Sequence, residues 1–361
     1  MASAGIMMHT YILYYLRMRR CYLILWEFFL FTERSWIAWR VSMETVVRKM
    51  KDEDLVDVKG VDLIAWTNPM ESSYGLKAKL TPRTDENILS YLHSDADGAF
   101  VACEDFAGIV GSVFSHVWGS TGWVGPLSVL PSYQAMGLGK ELLKHSLRYL
   151  EDQCCVDIGL ETMPENQVNL GMYLKVGLRP EGLVLIVGRK LDKMELQDEP
   201  VGDIMVERLS ESNAGQVMKD EIRRISGSLR MGLDYTKEVE LAQKHSFGDT
   251  ILATARGRVV GFSVVHTASK RMNMIGAVAR IIAVDPSARD DVLEPLMASA
   301  ELMAADAGAE EISLAIPLLC RRALDAAFSR GYNVIQSFER LMWTGSSGIG
   351  ERVINLCSWS G

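Results

Sequence analysis

At 361 residues the chain is long enough for two ordinary domains of roughly 100–200 residues each. An apolar share of 48% and a charged share of 23% are those of a globular protein able to fill real cores. A net charge of −8 argues against a general nucleic-acid binder, which needs a basic surface, but it permits an anionic small ligand held by backbone N–H groups.

The chain opens on a segment unlike the rest. Residues 1–42 hold five arginines, no lysine and ten aromatics. The apolar run from Cys21 to Phe31 is eleven residues long and contains Glu27. A membrane-spanning helix needs about 20 apolar residues, so this run is too short. No small-x-small cleavage pattern follows it, which disfavours a signal peptide. The expectation is an atypical extension outside the mature protein, with Met43 as the start; an added amphipathic helix is the alternative.

From Met43 the elements follow in order. Residues 43–50 read as a short strand, followed by helical stretches to His93. Ala99 to Trp118 carries two β-branched runs around an acidic turn, the pattern of a hairpin. Thr121 to Leu130 is a further strand. A glycine-bearing turn then leads into a helix from Gly139 to Gln153, with Leu142, Leu143, Leu147 and Leu150 at helical spacing. Val156 to Met163 is a strand, Glu165 to Leu178 a helix capped by Gly177, and Gly182 to Leu191 a strand. The charged, proline-containing stretch 193–203 reads as a linker.

The order then recurs. Thr250 to Thr267 is again a hairpin, and its GFSVVH (Gly261 to His266) echoes GSVFSH (Gly111 to His116). Ala279 to Met297 repeats the strand, proline, turn and helix. Glu311 to Pro317 echoes the strand at 156–163, and Ala323 to Tyr332 echoes the helix that follows it. The sequence is that of a divergent internal duplication of one α/β unit.

Six cysteines without a C-x-x-C pair, two of them adjacent at Cys154 and Cys155, indicate free thiols in a reducing cytoplasm. Six scattered histidines without H-x-x-x-H spacing predict no metal site.

The chemistry concentrates at Gln134-x-x-Gly137-x-Gly139, between a strand and a helix. The first turn of a helix offers unpaired N–H groups and the positive end of a dipole, a ready seat for a phosphate. A side chain at Gly137 or Gly139 would hold such a ligand away. The pattern has neither the G-K-[ST] of a P-loop nor the G-x-G-x-x-G of a Rossmann turn. An ordinary glycine turn is the plain alternative.

These residues resemble the Q/R-x-x-G-x-G/A signature of the GNAT family of acyl-CoA-dependent N-acyltransferases. A second family element matches Asn166, Tyr173, Gly177 and Leu178. The resemblance implies an α/β (α+β) fold of two tandem GNAT-like domains, each a mixed, mostly antiparallel twisted sheet flanked by helices. The domains are residues 43–192, the catalytic copy, and 204–345, a decayed one, followed by a tail at 346–361. It also implies acetyl-CoA as co-substrate. Amides from Gln134, Ala135, Met136, Gly137, Leu138, Gly139 and Lys140 would hold the pyrophosphate. Leu127, Ser128 and Val129 would pair with the pantetheine arm, and an N–H near Val129 would polarise the thioester. Asn166 would touch the arm, with a plain helix N-cap as its alternative. Tyr173 would protonate the leaving thiolate. Glu161 is the leading general base, and His116 is a second candidate. His266 in the matching place points to a shared structural cause for both histidines.

Aligning Pro131 with Pro286 sets Arg289 against Gln134, Val292 against Gly137 and Glu294 against Gly139. Ala327 stands against Tyr173. The second copy is therefore expected to keep the fold without binding coenzyme A, and to wall the acceptor pocket with helix 323–332 and the stretch Ser337 to Trp343. The leading function is an acetyl-CoA-dependent N-acetyltransferase acting on a primary amine of a small molecule by direct attack in a ternary complex. A protein N-acetyltransferase and a non-catalytic acyl-CoA-binding regulator are the alternatives. The expected protein is cytoplasmic, a monomer or homodimer, and free of nucleic-acid and membrane partners.

Overall fold

The computed structural model describes residues 45–74, 83–192, 202–211, 215–267, 276–348 and 353–357. The expectations for residues 1–42 and for linker residues 193–201 lie outside them. The first half contains β1 (Thr45–Lys49), α1 (Leu55–Tyr74), α2 (Asp85–Ser94), β2 (Phe100–Glu104) and β3 (Gly108–Trp118). It continues with β4 (Thr121–Val129), α3 (Leu138–Asp152), β5 (Asp157–Thr162), α4 (Gln167–Val176) and β6 (Arg179–Lys190). The second half contains β7 (Ile204–Arg208), α5 (Gly215–Leu229), α6 (Thr236–Lys244), β8 (Gly248–Ala255) and β9 (Arg258–His266). It continues with β10 (Ala277–Val284), α7 (Leu293–Asp306), β11 (Glu311–Pro317), α8 (Arg321–Ser329) and β12 (Asn333–Thr344). The order of strands and helices is the same in both halves, as the internal echoes predicted. One strand, β13 (Asn355–Cys357), has no counterpart among the described residues of the first half.

Local chemistry explains the boundaries. The Glu104 carboxylate accepts from the N–H groups of Phe106 and Ala107 and closes the acidic turn between β2 and β3. Thr84 caps α2 by accepting from the Asn87 N–H. The apolar face of α3, Leu142, Leu143, Leu147 and Leu150, is buried against the sheet.

The strands form one continuous sheet in the order β1-β2-β3-β4-β5-β12-β6-β11-β10-β9-β8-β7, with β13 added to β10. The two halves have thus exchanged their last long strands. β12 lies antiparallel between β5 and β6, with Arg340 opposite Glu161, and β6 lies antiparallel to β11, with Val187 opposite Leu314. The duplication is visible in the element order, but neither half closes its sheet with its own last strand.

Each half has its own apolar core, and a third cluster joins them. In it Trp118 and Trp123 of the first half pack with Ile222, Ile225 and Val239 of α5 and α6. The Trp118 Nε1–H donates to Glu238 Oε1 at 2.9 Å. The Arg230 guanidinium grips the buried Asp157 carboxylate at 2.5 and 2.7 Å. From Val46 onward the chain is a single unit.

Candidate active site

The site is built where β4 and β5 part. They pair in parallel only over Thr121–Val124 and Asp157–Leu160. Gly125 and Pro126 follow, and proline has no N–H to continue a ladder. The buried His116 donates from Nε2 to the Gly125 carbonyl at 2.7 Å, tying the point of separation to β3. Burial pushes the His116 imidazole down to about 4, so it is neutral at pH 7. A ring whose Nε2–H is committed to a carbonyl, and whose affinity for protons is so low, is a poor base. The structure makes His116 a structural residue, and His266, likewise buried, packs on Phe247.

Beyond Pro126 one edge of β4 faces β3 and the other faces the gap. The Leu130 N–H donates to the Val110 carbonyl on β3 at 2.9 Å. Strand alternation therefore turns the N–H and C=O of Val129, and those of Leu127, towards the gap. The Val129 carbonyl there accepts from Gln134 Nε2 at 3.0 Å. Ser128 differs from the expectation: its backbone faces the β3 ladder, and its hydroxyl donates to the buried Asp62 carboxylate at 2.9 Å on the opposite face. Leu127 and the N–H of Val129, not Ser128, present free main-chain groups to the gap.

The glycine turn forms a concave run of amides. Ala135 (φ +60°) and Gly137 (φ +89°) are both left-handed, which folds the backbone into a nest ahead of α3. The first amide of this helix to find a backbone acceptor is Glu141, which donates to the Gly137 carbonyl at 3.0 Å. Among the described residues, none of the amides from Ala135 to Lys140 donates to a backbone carbonyl. Gln134 to Gly137 and Lys140 are exposed, whereas Leu138 is core.

The two glycines have different reasons. A Cβ on Gly137 would meet open space, but its positive φ disfavours any side chain. A Cβ on Gly139 would touch Met172 Sδ at 3.4 Å and Leu127 at 3.8 Å, ordinary contact distances. Gly139 therefore faces α4 and β4 rather than the open mouth of the nest, which corrects the expectation that it clears space for a ligand.

α4 carries two of the expected groups. The Asn166 side chain accepts from the Asn169 N–H at 3.0 Å, so it is the N-cap of α4. Tyr173 on α4 is 6% exposed and sits in the first-half core. Its hydroxyl has no protein hydrogen-bond partner among the described residues, and burial pushes it up to about 12.

Glu161 lies on the other face of β5, on the same side as Gly159, over which the Trp123 ring packs. Its side chain is fully buried. Arg340 of the exchanged strand β12 donates to Glu161 Oε1 from Nε at 3.0 Å and from Nη2 at 2.6 Å. The guanidinium also stacks over Trp123, 5.3 Å from the ring centre. A carboxylate closed off in this way has no surface for direct contact with an acceptor amine. Sequence reasoning missed Arg340; an arginine inside the apolar run FERLMW was the available signal. β12 lies along the edge of β5 away from the gap, and α8 packs Ala323, Leu324 and Ala327 into the second-half core.

Among the described residues no three His, Cys, Asp or Glu side chains converge as a metal site would require. Among them, too, no helix is long and apolar enough to cross a membrane.

A parallel β4–β5 pair that splays over an amide nest, with a second splayed parallel pair at β10–β11 in the same sheet, defines a tandem GNAT fold. Residues 62–178 match the model of the Acetyltransferase (GNAT) family. No curated protein matches the chain. Among solved structures it is similar to a Pyrococcus horikoshii protein designated an acetyltransferase, at 17% identity and TM-score 0.62, covering 88% of this chain and 95% of that one. A GCN5-related N-acetyltransferase from Sphaerobacter thermophilus gives 14% identity and TM-score 0.59, covering 86% and 98%. A tandem GNAT protein from the clavulanic acid biosynthesis pathway gives 13% identity and TM-score 0.55, covering 83% and 98%. At such identities the likeness is one of fold.

Proposed function

We propose that the first half transfers an acetyl group from acetyl-CoA to the primary amine of a small molecule, by direct attack within a ternary complex. The observation that carries this reading is the exposed nest of amides from Ala135 to Lys140, without backbone acceptors, beside the open edge of Leu127 and Val129. Those amides and the positive end of α3 suit a pyrophosphate. Leu127 and Val129 suit the amide groups of pantetheine, and the Val129 N–H suits the thioester oxygen as negative charge develops on it. Asn166 keeps its amide NH₂ for the arm while its oxygen caps α4.

In the reaction the amine nitrogen bonds to the thioester carbon, the C–S bond breaks, and the thiolate takes up a proton. Tyr173 supplies that proton. Its pKa of about 12 exceeds that of a free thiol, but the apolar gap that raises the phenol raises a desolvated thiolate too. The amine must first lose its own proton, because an alkylammonium has a pKa of about 10.4. Glu161 takes that proton through a water that enters when its pair with Arg340 opens, and Arg340 otherwise fixes its position.

The test is thiol release from acetyl-CoA across a panel of small amines. At least one amine is expected to support turnover, and Glu161→Gln to lower kcat with acetyl-CoA affinity unchanged. Binding of acetyl-CoA without turnover on any amine would instead favour a regulator.

A further inference from the structure

The second half has the same splayed gap, and a piece of the chain fills it. β10 and β11 pair in parallel only over Ala277–Ala279 and Ile312–Leu314. Asp285 then donates to the Val260 carbonyl on β9, as Leu130 does to Val110 in the first half. Ile282 and Val284 are thus the counterparts of Leu127 and Val129, and their main-chain groups face the gap. There they meet β13, which lies antiparallel to β10 and also packs on β11. The Val284 N–H donates to the Ile354 carbonyl at 3.1 Å, and Ile282 pairs with Leu356.

The cradle has closed as well. Arg289 keeps the backbone of Gln134, φ −68° and ψ 159° against φ −69° and ψ 161°. Beyond it the nest is replaced by a turn of 3₁₀ helix over Asp290–Val292, and Val292, with φ −73°, caps α7 where Gly137 caps α3. A recess of about 540 Å³ remains over this turn. Asp285 and Asp290 line it beside Arg289, Arg321 and Arg322, and Ile354 forms part of its wall.

β13 is held by side chains too. Tyr235 donates its hydroxyl to Asn355 Oδ1 at 2.9 Å, and Leu356 is buried. The Cys357 carbonyl accepts from Arg340 Nη2 at 3.0 Å, the same nitrogen that holds Glu161.

We propose that the second gap is a binding slot for an extended peptide strand, occupied in cis by residues 353–357 where the first half takes pantetheine, and that this strand positions Glu161 through Arg340. The ligand class is a peptide bound by strand addition: main-chain hydrogen bonds give affinity, and the buried leucine and capped asparagine give selectivity. The proposal rests on the acyl-CoA reading of the first half only for its contrast and for the link to Glu161.

Residue-resolved hydrogen exchange on the intact protein, with and without saturating acetyl-CoA, tests it. Ile282 and Val284 amides are expected to be protected without ligand and unchanged by it, whereas Leu127 and Val129 slow by about tenfold or more when it is added. Free exchange at Ile282 and Val284, or a gain of protection there with acetyl-CoA, would overturn the slot. Silence at Leu127 and Val129 beside protected Ile282 and Val284 supports the slot and counts only against the acyl-CoA reading. In the full chain, Leu356→Pro removes one ladder donor. Loss of protection at Ile282, with kcat down about tenfold and the KM for acetyl-CoA unchanged, is expected. Unchanged kcat once protection is lost would overturn the link to Glu161. If this variant does not fold, the exchange pattern of the intact protein decides.

Discussion

At the scale of single residues, burial decides what each titratable group can do. Tyr173 is held protonated across the working range, so it can serve as an acid but cannot shape the pH profile near neutrality. Tyr173→Phe is expected to lower kcat by about a hundredfold with acetyl-CoA affinity unchanged, measured by steady-state kinetics and calorimetry. Activity should rise with pH as the acceptor amine loses its proton, without a falling limb from the phenol below pH about 11. His116 shows the opposite sign. Its folded value of about 4 lies below the unfolded 6.5, so between them only the unfolded chain takes up a proton. Stability is complete above 6.5 and falls as pH drops towards 4, by on the order of 3 kcal/mol. Urea unfolding at pH about 7 and about 4.5 should show this loss, and His116→Gln, which keeps an N–H donor, should shrink it. Burial alone would raise Glu238, but Arg280 and the Trp118 N–H hold it down to about 2. It therefore stays charged throughout the window in which His116 titrates.

At the scale of elements, the nest and the opened strand pair form one device. Gly137→Val adds a branched side chain at φ +89° in the mouth of the nest and should abolish acetyl-CoA binding. Gly139→Ala meets only ordinary contacts inside a helix and should bind normally, with stability unchanged or raised by up to about 1 kcal/mol. Equal loss in both variants, by calorimetry, would mean the nest is not the seat. Most of these elements were legible in the sequence because alternation and leucine spacing are local signals. The glycine turn was legible for its backbone, although the role of Gly139 depended on Met172, which no spacing reveals. Asn166 was readable as a cap because capping is decided within three residues. The pairing of Glu161 with Arg340 was not legible, since it joins strands 179 residues apart.

For the molecule as a whole, the exchange of β6 and β12 was invisible in the sequence. Each is an antiparallel closing strand that suits either half, so no local pattern says which sheet it joins. β13 was hidden for another reason: three residues are too few to show a period, and residues 346–361 read as a tail. The exchange has a consequence for folding. A first half ending at residue 192 lacks β12 and a second half starting at residue 202 lacks β6; even where each closes with its own last strand, the shared cluster of Trp118 and Trp123 with α5 and α6 loses its cover. Each expressed alone should aggregate, and co-expression should recover a soluble complex, checked by size-exclusion chromatography. On the proposed function, the duplicated fold has one coenzyme A seat rather than two. Isothermal titration of the intact protein with acetyl-CoA tests that most directly. One equivalent per chain, lost in Gly137→Val and retained in Gly139→Ala, is the predicted result. No heat at all, or two equivalents per chain, would contradict it.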